Sequence, residues 1–234
     1  MREPVEPPAT EIRFPSPRRA RRDVLAVGTD FRAGTLLAAY RQGIFPWPQG
    51  TGRESEIVAW FSPDPRTLLP LDRIHWSRSL RRTLRHNPWT ITVDAACPGV
   101  MLACGAERDE GTWITPEVVA GYTQLHELGW AHSLEVWEER ELVGGIYGVA
   151  IGASFAAESM FHRRTDASKV AFATLAENLR DAGYAIFDAQ VMNPHLESLG
   201  CVEVPRGEYL DRLARAVVAA PKLPIHAWKR QLRP

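Results

Sequence analysis

The chain has 234 residues, 45% of them hydrophobic and 24% charged, which fits a globular protein and excludes a fibrous or low-complexity one. Its 28 basic and 28 acidic residues cancel, so any anionic partner must be met by local charge rather than by a field of the whole chain. The three cysteines, Cys97, Cys104 and Cys201, form no CxxC pair, which argues against a disulfide framework or a zinc site and suits a reducing cytoplasm.

Residues 1–27 are rich in proline and arginine, lack apolar periodicity and carry the run RRARR (18–22). They predict a disordered arm without a signal-peptide core. A small N-terminal domain is expected over 28–98. In it, Leu36 to Gln42 read as a short helix stopped at Gly43. IFPWPQG follows, where two prolines stiffen a loop around Trp47. WFSPDPR (60–66) is a second proline-stiffened element. Ser77 to His86 read as a helix with Arg78, Arg81, Arg82 and Arg85 on one face, and ITVDAA (91–96) opens as a strand.

A second domain is expected over 99–220. Thr115-Pro116-Glu117 is a strong helix start, with a threonine cap and proline in the first turn, and Gly129 stops that helix. HSLEVWE alternates as a strand, EERE forms a turn, and LVGGIYGVAIGASFA reads as the return strand plus one more. The apolar run Leu142 to Ala157 is short for a membrane span and broken by glycines. A helix from Thr165 or Asp166 to about Ala182 follows, then the buried strand YAIFDAQV, the short helix HLESL and a last helix from about Gly207 to Val218. Residues 221–234 are expected to be an irregular tail. The element order predicts an α+β fold with a mixed sheet, similar in order to GNAT-type acyltransferases.

Several residues invite chemistry. Between Arg66 and His86 stand six arginines and one aspartate, a local positive patch that is either a solvated helix face or a surface for phosphates. Trp47 and Trp113 are either core residues or stacking platforms for a base. Asp188 and Gln190 lie two apart on a buried strand and so share a face, as a structural network or as a catalytic pair. Glu158 is expected at a strand end beside apolar surface, where a carboxylate needs a positive partner: an arginine, or a cationic ligand. The histidines show no metal-ligand spacing. Two readings stay open from these residues: a GNAT-type acetyltransferase using acetyl-coenzyme A, and a non-catalytic tRNA-binding module. The R-x-x-G-x-G/A pyrophosphate turn of the first is absent, and HRRTDAS stands in its place.

Taken together, AYRQGIFPW (39–47), FSPDPR (61–66), SRSLRR (77–82), GTWIT (111–115), LHELGWAHSLEVW (125–137), LVGGIYGVAIGASF (142–155), ESMF (158–161), DASK (166–169), FDAQV (187–191) and HLESLG (195–200) resemble the leucyl/phenylalanyl-tRNA–protein transferase family. The resemblance spans about Leu36 to Leu213. It implies a small N-terminal domain packed on a GNAT-like catalytic domain, acting as a monomer without metal or coenzyme. It implies transfer of leucine or phenylalanine, and sometimes methionine, from aminoacyl-tRNA to proteins with N-terminal arginine or lysine, marking them for the N-degron route.

The resemblance also assigns roles. Trp47 and Trp113 would hold the terminal adenosine. Arg78, Arg81, Arg82 and Arg85 would take the acceptor stem, and Glu158 would orient the basic N-terminus with Asn193 nearby. Asp188, acting through Gln190, would assist aminolysis. Phe155 and Met160 would line the side-chain pocket, and register alone adds Leu175 and Phe187 to it. Ala157 stands where the family pattern has glycine, His162 where it has serine, and Cys201 where it has alanine.

Overall fold

Two sheets organise the chain in the computed structural model, which describes residues 3–28, 30–49, 57–106, 114–228 and 231–232. The small sheet is antiparallel and holds β1 (Val24–Gly28), β2 (Phe45–Gln49) and β3 (Ile57–Phe61) in the order β1-β3-β2. The segment expected as a proline-stiffened loop is therefore strand β2. Its prolines, 46 and 48, fall at alternate positions of an edge strand, the one place in a sheet where missing N–H groups cost no ladder bond. Helix α1 (Ala33–Tyr40) packs Leu36, Leu37 and Tyr40 inward. The chain then turns at Gly43, whose φ of +74° is open to glycine at no steric cost.

The large sheet collects β4 (Arg66–Leu69), β5 (Thr90–Val93), β6 (Ala131–Glu138), β7 (Glu141–Ile151), β8 (Ser154–His162), β9 (Ile186–Gln190), β10 (Val202–Val204) and β11 (Gln231–Leu232). Their order is β10-β4-β9-β8-β7-β6-β5-β11. Only β8 and β9 run parallel, and helix α5 (Ala167–Asp181) makes the crossover that such a pair requires. The sheet is mixed and the fold is α+β, as expected.

Both faces of this sheet are covered, which explains why β7 reads as a nearly continuous apolar run. Ile146 and Ala150 pack with Val170, Phe172 and Leu175 of α5 on one face. Tyr147, Val149 and Ile151 pack on the other with α3 (Cys97–Ala106), α4 (Pro116–Glu127) and α1. Helix α2 (Arg78–Arg85) is capped by Ser77 Oγ, which accepts from Leu80 N at 3.2 Å. Thr115 Oγ1 caps α4 in the same way through Val118 N. After β9 come α6 (Pro194–Ser198) and, beyond β10, α7 (Arg206–Ala216). Among the described residues no helix is long and apolar enough to cross a membrane.

Three expectations are corrected. The described part of the arm expected to be disordered, residues 3–28, lies against the body: Val5 N donates to Leu128 O at 2.8 Å, Phe14 is buried against Trp60, and 24–28 form β1. Few buried apolar side chains are needed because backbone groups supply the contacts. A boundary between 98 and 99 does not follow the sheets, since β4 and β5 precede it and hydrogen-bond within the large sheet. The C-terminal segment is not merely irregular: Ile225 and Trp228 are buried and β11 pairs with β5.

Candidate functional site

A cavity of about 330 Å³ opens at the C-terminal end of β9, between the two sheets. β2 brings Trp47 to its wall, β8 brings Ala157, Glu158 and Met160, and α5 brings Phe172. Gln190 closes β9 there, and Asn193 and His195 come from the turn into α6.

Glu158 does not end a strand, as expected, but interrupts one. Tyr147 pairs with Ser159 and Gly148 with Ala157, so Glu158 is the unpaired residue of a β-bulge in β8. A bulge re-aims one side chain out of the alternating pattern. It depends on Gly148, where an added Cβ would lie 2.2 Å from the Ala156 carbonyl oxygen. The carboxylate so placed accepts from Gln190 Nε2 at 2.8 Å on one oxygen and from Tyr122 OH at 3.0 Å on the other. The hydroxyls of Tyr122 and Tyr40 bond each other behind it. Burial pushes the Glu158 carboxyl up to about 7. The tyrosine hydroxyls and Arg66 oppose the rise, and the negative charge of Asp188 adds to it.

Asp188 lies one layer below. Arg66 Nε and Nη2 donate to its two oxygens at 2.8 and 2.6 Å, Tyr209 OH donates at 2.8 Å and Gln190 N at 2.9 Å. Burial alone would lower the Arg66 guanidinium, and the Asp188 charge reverses this and raises it. Arg66 is further held over the rings of Phe45 and Tyr209 and donates to Gly43 O. The Asp188 carboxylate is thus saturated and does not line the cavity. It fixes Gln190 instead, whose φ of +65° is a costly conformation for a residue with a side chain and is held by that amide bond.

The geometry divides the remaining expected residues. Met160 and Asn193 line the cavity with Trp47, Glu158 and Gln190. Asn193 Oδ1 is occupied, accepting from Leu196 N at 2.9 Å, so its side-chain N–H₂ is the group left for a ligand. Phe155, Leu175 and Phe187 do not line it. They are core residues behind Phe172, whose ring lies 4.8 Å from that of Phe187, and Phe172 takes the wall position that sequence register gave to them. Trp47 is 37% exposed and leans on Phe61, ring centroids 6.0 Å apart. Trp113 lies outside the described residues. Arg78, Arg81, Arg82 and Arg85 are exposed on α2, away from the buried Leu80. Thr83 Oγ1 reaches Asp166 at 3.4 Å, which sets α2 beside the start of α5.

Sequence reading missed Tyr40, Tyr122, Tyr209 and Phe172, and it counted Arg66 in the positive patch, whereas the structure buries it. Each comes from a separate element, and the one available signal was Arg66 itself, an arginine opening an apolar strand. It also gave no role to His195, which lines the cavity. Burial lowers this imidazole, and Lys169 and His162 nearby add to the effect.

The amino-acid sequence matches known proteins over most of the chain. A family profile described as leucyl/phenylalanyl-tRNA protein transferase matches residues 68–214, and that of its N-terminal domain matches 29–64. The chain is 48% identical over 218 residues to proteins named leucyl/phenylalanyl-tRNA–protein transferase from Yersinia pestis (strain Pestoides F) and Yersinia pseudotuberculosis serotype O:1b (strain IP 31758), covering 92% of this chain and 90% of each relative. The break between the two profiles, residues 65–67, falls at the start of β4, where the sheets also divide. The chain belongs to the leucyl/phenylalanyl-tRNA protein transferase family.

Proposed function

We propose that the cavity is an aminoacyl-transfer site, in which leucine or phenylalanine passes from a tRNA 3′ end to the α-amine of a protein beginning with arginine or lysine. The observation that carries this reading is the meeting of Trp47, Glu158, Gln190 and Asn193 around one cavity with an apolar wall of Met160, Phe172 and Ile146. Trp47 offers a stacking face to the terminal adenine. The apolar wall suits the leucyl or phenylalanyl side chain. The exposed arginines of α2 suit the phosphates of the acceptor stem.

Glu158 is the acceptor-side group and the proton acceptor. It is the one carboxylate among the described cavity residues, and it can bind an ammonium by charge-assisted hydrogen bonds. An α-ammonium has a pKa of about 8, close to the value of about 7 to which burial brings Glu158. Transfer of the proton from ammonium to carboxylate is therefore nearly balanced. The freed amine attacks the ester carbonyl carbon, a tetrahedral intermediate forms, and the bond to the ribose oxygen breaks as that oxygen regains a proton. Asn193 Nδ2 is a donor available to the oxyanion. Asp188, which the family resemblance cast as an acid–base partner, serves as a positioning residue that holds Gln190, and Gln190 holds Glu158.

An acetyl-coenzyme A reaction fits the site less well. The turn into α5 carries Asp166 and the ion-paired Arg164 and Lys169, in place of a glycine-rich cradle for pyrophosphate. The cysteines are buried and free of disulfides, which supports a cytoplasmic setting. The test is transfer of labelled leucine from leucyl-tRNA to a peptide beginning with arginine. The label is expected on that peptide and not on one beginning with glutamate; absence of label, from folded protein that binds the tRNA, overturns the reading.

A further inference from the structure

The basic run at residues 18–22 plays no part in the chemistry above, yet the fold fixes it with care. Arg206, at the start of α7 and only 7% exposed, donates to Ser62 O at 2.6 Å through Nη1 and to Ala20 O at 2.6 Å through Nη2. Ser62 N donates in turn to Asp23 O at 2.8 Å, and Arg18 pairs with Asp211 of α7. The backbone from 18 to 23 is thereby pinned. The side chains of Arg19, Arg21 and Arg22 are exposed, and among the described residues none of the three has a carboxylate within 4.0 Å. Charges whose backbone is ordered beforehand lose little further freedom when they meet a ligand.

Their place relates them to the cavity. Arg206 stands two residues after Val204, which pairs with Arg66, and the neighbouring Thr67 pairs with Gln190 at the cavity. Two strand spacings, about 10 Å, separate β10, which leads into Arg206, from β9. On the other side Ser62 follows Phe61, the ring on which Trp47 leans. The arginines of α2 stand beside the start of α5, the helix that brings Phe172 to the cavity.

We propose that Arg19, Arg21 and Arg22 form a second phosphate-binding surface that contacts the sugar–phosphate backbone of the aminoacyl-tRNA whose 3′ end enters the cavity. The proposal rests on the transfer reading of that cavity. A strand threading toward Trp47 must carry its phosphates past one rim or the other, and the arm offers three exposed arginines on a pinned backbone, none of them with a carboxylate within 4.0 Å among the described residues.

The experiment compares the full chain with the triple variant Arg19→Gln, Arg21→Gln, Arg22→Gln, measuring leucyl-tRNA affinity between 50 and 200 mM salt and the KM for leucyl-tRNA in transfer. Each lost phosphate contact lowers the slope of log affinity against log salt by about 0.7 to 0.9, so a fall of about 2 to 3 is expected, with affinity at 50 mM salt reduced roughly tenfold or more. The triple lysine variant restores the slope, since charge and not guanidinium geometry is at work. Transfer by the wild type with an unchanged slope and KM in the glutamine variant overturns the arm's role alone. No binding or transfer by the wild type overturns the transfer reading and this proposal with it. Loss of binding to anionic-lipid vesicles in the variant, with the tRNA slope unchanged, assigns the arginines to a membrane surface and also overturns it.

Discussion

Arg66 closes Asp188 off from the cavity: both carboxylate oxygens accept from the one guanidinium, and both side chains are 1% exposed. Replacing Asp188 with asparagine leaves that guanidinium buried without its counter-charge, at a cost of about 3–5 kcal/mol. The variant is expected to melt well below the wild type, and kcat is expected to fall because Gln190 loses its anchor. The acid limb of the kcat/KM profile should survive and move to lower pH, because the Asp188 charge that helps raise Glu158 is gone. A profile in which the limb disappears would make Asp188 the base and sink the positioning role.

Glu158 carries its own pH signature. Its folded value of about 7 lies above the ordinary 4.5, so between those values the folded state holds a proton that the unfolded chain releases. The stability contributed is fully present below about pH 4.5, falls as pH rises, and is gone above about pH 7. At about 1.36 kcal/mol per pKa unit, the change amounts to as much as about 3 kcal/mol. Glu158→Gln removes this slope, so the variant is expected to melt at a higher temperature than the wild type at pH 8. Transfer should fall about 100-fold in the same protein, the loss typical of a missing acid–base group. Thermal melts at pH 5 and pH 8 check the first part; equal pH dependence in the two proteins would contradict it.

Trp47 is expected to act on the donor. Stacking of a base on an aromatic ring contributes about 1–3 kcal/mol, so Trp47→Ala should raise the KM for leucyl-tRNA roughly 10- to 100-fold, while Trp47→Phe recovers most of the loss. Because the ring also leans on Phe45 and Phe61, melting of each variant is recorded alongside. A KM for leucyl-tRNA that does not respond to the alanine change would remove the stacking role.

What the sequence revealed followed from local chemistry. Thr115-Pro116 and Ser77 announced α4 and α2 because a cap needs only its own next turn. Helix α3 escaped notice because Pro98, Gly99 and Gly105 mask it and its covered surface leaves no polar face to mark a period. The bulge at Glu158 was equally hidden, since it exists only in the register between β7 and β8. The Arg66–Asp188 pair joins positions 122 residues apart, and nothing near either residue names the other. Motif resemblance reached Glu158, Gln190 and Trp47 without that geometry. It also drew in Phe155, and register drew in Leu175 and Phe187; none of the three lines the cavity.

On the transfer reading, Ala157 is expected to influence which donor side chain fits. It lines the cavity beside Glu158 and pairs with Gly148 at the bulge. The family pattern has glycine here, so the extra methyl narrows the space against Met160 and Phe172. One methyl group in an apolar pocket is worth about 1–3 kcal/mol of discrimination. Ala157→Gly is expected to raise the ratio of kcat/KM for phenylalanyl over leucyl donors about tenfold, chiefly by improving the phenylalanyl reaction. Competition between the two aminoacyl groups on one tRNA body isolates the side chain from the RNA contacts. An unchanged ratio would mean that the donor side chain does not reach Ala157, and the apolar wall would then have to be sought further from Glu158.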